Sequence, residues 1–262
     1  MKLSFSNIAW SNETHEEVCT FLMKNGFTAI EIAPTKLVPE APYDHIPEAK
    51  QWYERLRRQY GFRVSSMQSI WFGRQEQLFG SEEERQTLLS YTQKAIDFAS
   101  ALECGNLVFG CPKNRSVHER SDYQKGIAFF EELGEYAAEK HTVIGIEANP
   151  AIYQTNYLND TAAALELIRA IDSPGIRLNL DVGTMLANQE DVSVLRGQVR
   201  YISHVHISEP YLAPIQPHPL HEALCRLLTA EGYTGYISVE MKQPDHPSVL
   251  MAVASYVGEV FG

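Results

Sequence analysis

The chain has 262 residues, 44% of them hydrophobic and 21% charged, with a formal net charge of −11. This is ordinary globular composition with enough length for a sizeable core, and the acid excess disfavours nucleic acid as a partner because it repels phosphate backbones. No run is apolar enough to span a bilayer, and the opening residues, MKLSFSNIAWSNET, lack the apolar run and small-residue cleavage site of a signal peptide.

Taken in chain order, one unit recurs: a short β-rich run, a polar loop, an amphipathic helix, then a glycine or turn. The candidate strands are KLSFSN (2–7), FTAIEIA (27–33), FRVSSMQ (62–68), GNLVFGC (105–111), TVIGIEA (142–148), IRLNLDV (176–182), YISHVHI (201–207) and GYISVEM (235–241). The first intervening helix is expected to begin at Thr14, where Glu17 would complete a capping box, and another at Ser81 with Glu84. Gly26, Gly61, Gly105, Gly175 and Gly235 stand at or just before strand starts, where a left-handed residue commonly ends a helix. Cys19, Cys104, Cys111 and Cys225 show no C-x-x-C or paired zinc-finger spacing. Cys19 and Cys225 fall in apolar helical patterns and read as small core residues. A reducing, cytoplasmic setting is the expectation.

Eight strands alternating with helices imply parallel pairing through right-handed crossovers. At this length they fit a single-domain (β/α)8 barrel over residues 1–262 better than an open sheet, since no G-x-G-x-x-G follows the first strand.

Strand parity then selects candidate site residues. Side chains at i and i+2 share a face, and barrel enzymes place their chemistry at the C-terminal strand ends. If Ile144 and Ile146 pack on helices, Glu147 faces inward. The same logic turns Asp181, His206 and Glu240 inward. Each stands at its strand's exit, about one βα unit from the next. Three carboxylates and an imidazole converging on one mouth repel one another unless a cation joins them. The donor set suits Mn²⁺ best, with Mg²⁺, Co²⁺ and Zn²⁺ as alternatives. One such ion is the expected cofactor. His204 lies one layer deeper and reads as a hydrogen-bonded core histidine.

The motifs GIEANP, LNLDVGTM, SHVHISEP and GYTGYISVEM make the chain resemble the xylose-isomerase-like TIM-barrel superfamily, which includes sugar isomerases, ketose 3-epimerases and apurinic endonucleases. The resemblance implies that Glu147, Asp181, His206 and Glu240 bind one metal, and that Glu147 and Glu240 also serve as acid and base on opposite faces of a sugar. Two positions depart from the superfamily's pattern. Thr184 stands where a histidine often follows the strand-six Asp, and Leu212 stands where ketose 3-epimerases carry an arginine. Both weigh against free-ketose 3-epimerisation, and Thr184 also weighs against the endonucleases.

Substrate contacts are expected from Glu31, Gln68, Asn149, Trp71 and His218, with Trp10, Tyr211 and His221 as weaker candidates. Glu209 has the wrong parity for the metal if its strand runs on, although Pro210 suggests a strand end. The expected activity is isomerisation or epimerisation of a sugar or sugar-derived hydroxy-ketone through an enediolate. A lyase or dehydratase acting on a cyclic hydroxy-ketone, and a non-catalytic sugar-binding barrel, are the alternatives. The expected partners are a small carbohydrate and at most further copies of the chain, with neither nucleic acid nor membrane.

Overall fold

Residues 1–262 are described by a computed structural model. The strands are β1 (Lys2–Ser6), β2 (Phe27–Ile32), β3 (Arg63–Met67), β4 (Leu107–Phe109), β5 (Ile144–Ile146), β6 (Ile176–Asp181), β7 (Ile202–Ser208) and β8 (Tyr236–Glu240). They form one closed barrel in sequence order, with β1 paired parallel to β8. The helices are α1 (His15–Lys24), α2 (Pro34–Leu37), α3 (Ile46–Tyr60), α4 (Glu82–Ala101), α5 (Asp122–Glu139), α6 (Thr161–Ile171), α7 (Val182–Asn188), α8 (Pro219–Ala230) and α9 (Pro247–Phe261). The architecture is a single-domain (β/α)8 TIM barrel. No helix is long and apolar enough to cross a membrane.

Period-2 alternation explains the core. Phe5, Ile30, Ile144, Ile146, Leu178, Leu180, Val205, Ile237 and Val239 are fully or almost fully buried, as expected for strand residues packed against helices. The alternate positions fill the barrel interior and are mostly polar. β4 and β5 are shorter than their sequence runs suggested, at three residues each.

Two local expectations need correction. Ser81 and Glu84 form the capping box on α4, but Thr14 caps nothing. A 3₁₀ turn over Asn12–Thr14 leads into α1, and the Thr14 hydroxyl donates back to the Ser11 carbonyl instead. Gly26 and Gly61 are left-handed as expected, but Gly105, Gly175 and Gly235 are not. Gly175 is required by close approach: a Cβ there would lie 1.9 Å from the Gly134 carbonyl oxygen of α5. The left-handed residue closing α6 is Asp172. All four cysteines are unpaired, Cys19 buried and Cys225 half-buried.

Candidate active site

The C-terminal mouth of the barrel opens into a cavity of about 320 Å³, at the small end of ordinary ligand pockets. Glu147 leaves β5 immediately after its last residue, and Asp181 and Glu240 end β6 and β8. His206 sits inside β7, opposite Asp181 in the register. One donor atom from each of these four residues can be chosen so that all lie within 4.8 Å of one another.

Each side chain is held by its surroundings. Asp181 is both the last residue of β6 and the N-cap of α7, accepting from the Thr184 amide at 2.6 Å. Its other oxygen accepts from the Ser208 hydroxyl. Thr184 is buried and its hydroxyl donates to the Ala148 carbonyl at 2.8 Å, so this departure from the superfamily's pattern serves to brace two strand exits. Glu147 accepts from Asn149 and Asn179, at 3.0 and 2.8 Å. Gly110 of the β4 exit leaves room for it, because a Cβ there would stand 2.7 Å from the Glu147 Oε1. Below, the wholly buried Arg115 guanidinium donates twice to the Glu147 carbonyl, at 3.0 Å each, and to Asn149 Oδ1 at 2.9 Å.

His206 joins two layers. Its Nδ1 faces Glu147 and Glu240, at 3.1 and 3.2 Å, and its Nε2 lies 2.8 Å from Glu31 Oε2. With Nε2–H donated to Glu31, release of the Nδ1 proton would leave that nitrogen free to hold a metal among the carboxylates. The electrostatics show what the cluster lacks. Burial first and Glu147 second push the Asp181 carboxyl up to about 6. Burial also pushes Glu240 up to about 7, with Glu147 and Glu31 adding to the effect and His206 opposing it. Burial works against a charged His206, but Glu240 and Glu31 outweigh it and hold the imidazole well above its usual range. Carboxyls whose ionisation is opposed by burial and by one another, grouped around one imidazole nitrogen, are a donor set that fits a divalent cation.

The expected substrate contacts divide. Gln68, Asn149 and Tyr211 line the cavity, while Glu31, Trp71 and His218 do not. Glu31 is fully buried one layer down, tied to His206, His204 and Gln68. Burial would raise its carboxyl, but the two histidines outweigh that and hold it well below the usual range. Trp71 is buried beneath its loop, packed edge-on against Phe109 and Phe129, with Nε1 donating to Thr92 at 2.8 Å. His218 caps α8 through Nδ1, and His221 is buried against Tyr256 and Phe261. Trp10 is likewise buried, with its indole donating to His15. His204 is wholly buried as expected, but neither ring nitrogen makes the expected hydrogen bond; its Nε2 only approaches Glu31 Oε2, at 3.1 Å. β7 ends at Ser208, so Glu209 reaches the cavity rim without joining the cluster.

Sequence reasoning passed over Tyr153, Arg115 and Lys242. Lys242 carried a partial signal, since it stands two residues beyond Glu240, just past the exit of β8. Arg115 and Tyr153 sit in irregular loops and carried none.

The model of the xylose isomerase-like TIM barrel family matches residues 19–255. The chain belongs to that family. No curated protein sequence matches it. Among solved structures, it is similar to the 3-keto-D-glucoside 4-epimerase YcjR of E. coli, at 20% identity and a TM-score of 0.78 over 98% of each chain. It is also similar to the D-psicose 3-epimerase of Clostridium cellulolyticum, at 15% identity and 0.81 over 100% of this chain and 99% of that one. An L-ribulose 3-epimerase matches at 17% identity and 0.78, over 98% of this chain and 92% of that one. At such identities the likenesses establish the fold alone.

Proposed function

We propose that this family member is a divalent-metal-dependent isomerase or epimerase of a sugar or sugar-derived hydroxy-ketone. The observation that carries this reading is the convergence of Glu147, Asp181, His206 and Glu240 at the floor of a cavity of monosaccharide scale. The similar folds of the sugar epimerases support it. These four residues would hold one ion, Mn²⁺ best matching three carboxylates and one imidazole, with Mg²⁺, Co²⁺ and Zn²⁺ also compatible. Such an ion supplies Lewis acidity to the oxygens of a hydroxy-ketone, which stabilises the negative charge of the enediolate.

The proton transfers belong to the chain. Glu147 and Glu240 leave strands separated by β6 and β7, so they reach a bound sugar from different sides. One carboxylate removes the proton from the carbon beside the carbonyl, and the other, protonated, returns one. Without the ion, burial and the neighbouring Glu147 and Glu31 favour the protonated form of Glu240, which shows that this carboxyl can hold a proton. Asp181 and His206 complete the cage. Asn149 and Asn179 hold Glu147 in place by hydrogen bonds. The carboxylate-lined cavity also argues against a phosphate backbone as partner, and the four unpaired thiols suit a reducing cytoplasm.

Metal analysis followed by a carbohydrate panel in D₂O tests the reading. About one tight divalent ion per chain and solvent deuterium at a substrate C–H are expected. Full turnover after chelation would refute the metal requirement. Net loss of water would instead indicate a lyase, and binding without exchange a sugar-binding barrel.

A further inference from the structure

The cavity that faces the carboxylate cluster is chemically one-sided. Its acidic and basic side chains are four carboxylates, Glu147, Asp181, Glu209 and Glu240, and one amine, Lys242, beside the thiol of Cys111 and the phenols of Tyr153 and Tyr211. Lys242 follows Glu240 by two residues, just past the end of β8, and stands solvent-exposed in the cavity lining. Its backbone amide donates to the Leu212 carbonyl at 2.9 Å, which fastens this position to the loop after β7.

The nitrogen donors decide what this cation is for. Three lining side chains carry nitrogen: Gln68, Asn149 and Lys242. The Gln68 amide is spent on Ser6 and Glu31, at 2.7 and 3.1 Å. The Asn149 amide is spent on Glu147 and the Ala148 carbonyl, at 3.0 Å each. The Lys242 ammonium has no hydrogen-bond or ion-pair partner within the protein, despite the acids in the same cavity. The phenols of Tyr153 and Tyr211 add only neutral hydroxyls. Sugar hydroxyls can donate to the abundant carboxylates, but a substrate group that only accepts hydrogen bonds finds one strong donor here.

We infer that Lys242 is a specificity residue that pairs with a single carboxylate on the substrate, so that the site takes an unphosphorylated keto-sugar acid. With Glu147, Asp181 and Glu240 engaged by the ion, the charged lining left to a substrate is Glu209 and Lys242, so a phosphate dianion would bring about two charges and three acceptor oxygens to one ammonium beside an acid. A carboxylate brings one charge and matches that ammonium. The inference rests on the metal-dependent hydroxy-ketone reading above and adds to it the charge of the substrate.

Calorimetric titration of the Mn²⁺-loaded protein with 5-keto-D-gluconate, D-fructose and D-fructose 6-phosphate tests it. The keto acid is expected to bind roughly tenfold or more tightly than the neutral ketose, the usual worth of a charge-assisted hydrogen bond. That preference should shrink as salt rises, disappear in Lys242→Met and return in Lys242→Arg. The quantity read in both variants is the ratio of keto-acid to D-fructose affinity, which separates loss of the charge pair from a general change in the cavity. Equal binding of acid and ketose, tighter binding of the phosphate, or a preference that survives Lys242→Met would overturn the inference while leaving the hydroxy-ketone reading intact. If none of the three binds the metal-loaded protein, both fail together. Binding of D-fructose that is indifferent to the metal would overturn the hydroxy-ketone reading alone.

Discussion

Two polar layers are stacked inside this barrel, and they meet their hydrogen-bonding needs in opposite ways. The lower layer pairs almost all of its polar groups internally, the His204 ring being an exception. Ser4 pairs with Ser65 at 2.6 Å, Asn106 donates to Ser66 at 2.8 Å and accepts from Ser203 at 2.7 Å, and Glu31 is shared by His204, His206 and Gln68. The upper layer does not close. Glu147, Asp181 and Glu240 face one another across His206 Nδ1, with two of the three carboxyls pushed up by burial and mutual repulsion. A layer whose carboxylate is balanced by neighbouring histidines supports structure, and one whose charges remain unbalanced is prepared for an ion and a substrate. His206 belongs to both, fixed from below and presented above.

The sharpest way to break the comparison is at the upper layer. Glu147→Gln and Glu240→Gln each keep an oxygen but lose the base, so turnover should fall by roughly 10²–10⁴-fold. The unfolding midpoint should hardly move, since relieving carboxylate repulsion offsets the lost contacts. Loss of folding in both variants would place these residues with the structural layer. The reverse is expected one level down. Glu31→Ala leaves two buried histidines without their carboxylate and should cost about 3–5 kcal/mol in denaturant titration. The milder Glu31→Gln should weaken divalent-ion binding by roughly 10–100-fold, through the orientation of His206.

A smaller effect sharpens the contrast. Asn106→Ala removes the partner of Ser66 and Ser203 and should cost about 1–3 kcal/mol of stability with turnover preserved. Measured turnover below a tenth of the parent's would show that the lower layer acts on catalysis directly. The smallest change lies outside both layers. Trp71→Phe deletes the hydrogen bond to Thr92 and should cost about 1 kcal/mol, with KM unaltered. A raised KM would return Trp71 to the substrate site, against its buried position.

The difference between the layers also marks how far the residues could be read without coordinates. Period-2 alternation was enough to turn Glu147, Asp181, His206 and Glu240 to one side, because strand geometry is local and a polar residue after an apolar alternation has few other places to go. Lys242, two residues past Glu240 in the loop after β8, also lines the cavity but was passed over. Depth was not legible. Glu31 has the right parity but ends a full layer below the cavity, because stagger between strands sets height in a barrel and no single strand records it. Loop residues were less legible still. Trp71 and His218 were expected at the mouth, yet one fills space under its loop and the other caps a helix. The Thr14 capping box failed for a related reason: its motif was present, but a preceding 3₁₀ turn directed the threonine hydroxyl back to Ser11.

The sequence by itself therefore determined the repeated βα unit, the closed eight-stranded architecture it implies and the inward parity of the strand-exit acids. All of these follow from short-range periodicity and chain connectivity. Tertiary structure alone decided which inward groups meet at one height, that His206 divides its two nitrogens between Glu31 and the upper carboxylates, and that a buried Arg115 from the β4–α5 loop braces the β5 exit. It also decided that the amides of Gln68 and Asn149 are already spent, which leaves Lys242 as the cavity's free nitrogen donor. Those outcomes depend on barrel stagger and on contacts between residues far apart in the chain, where burial and hydrogen-bond satisfaction select the partner and local pattern does not.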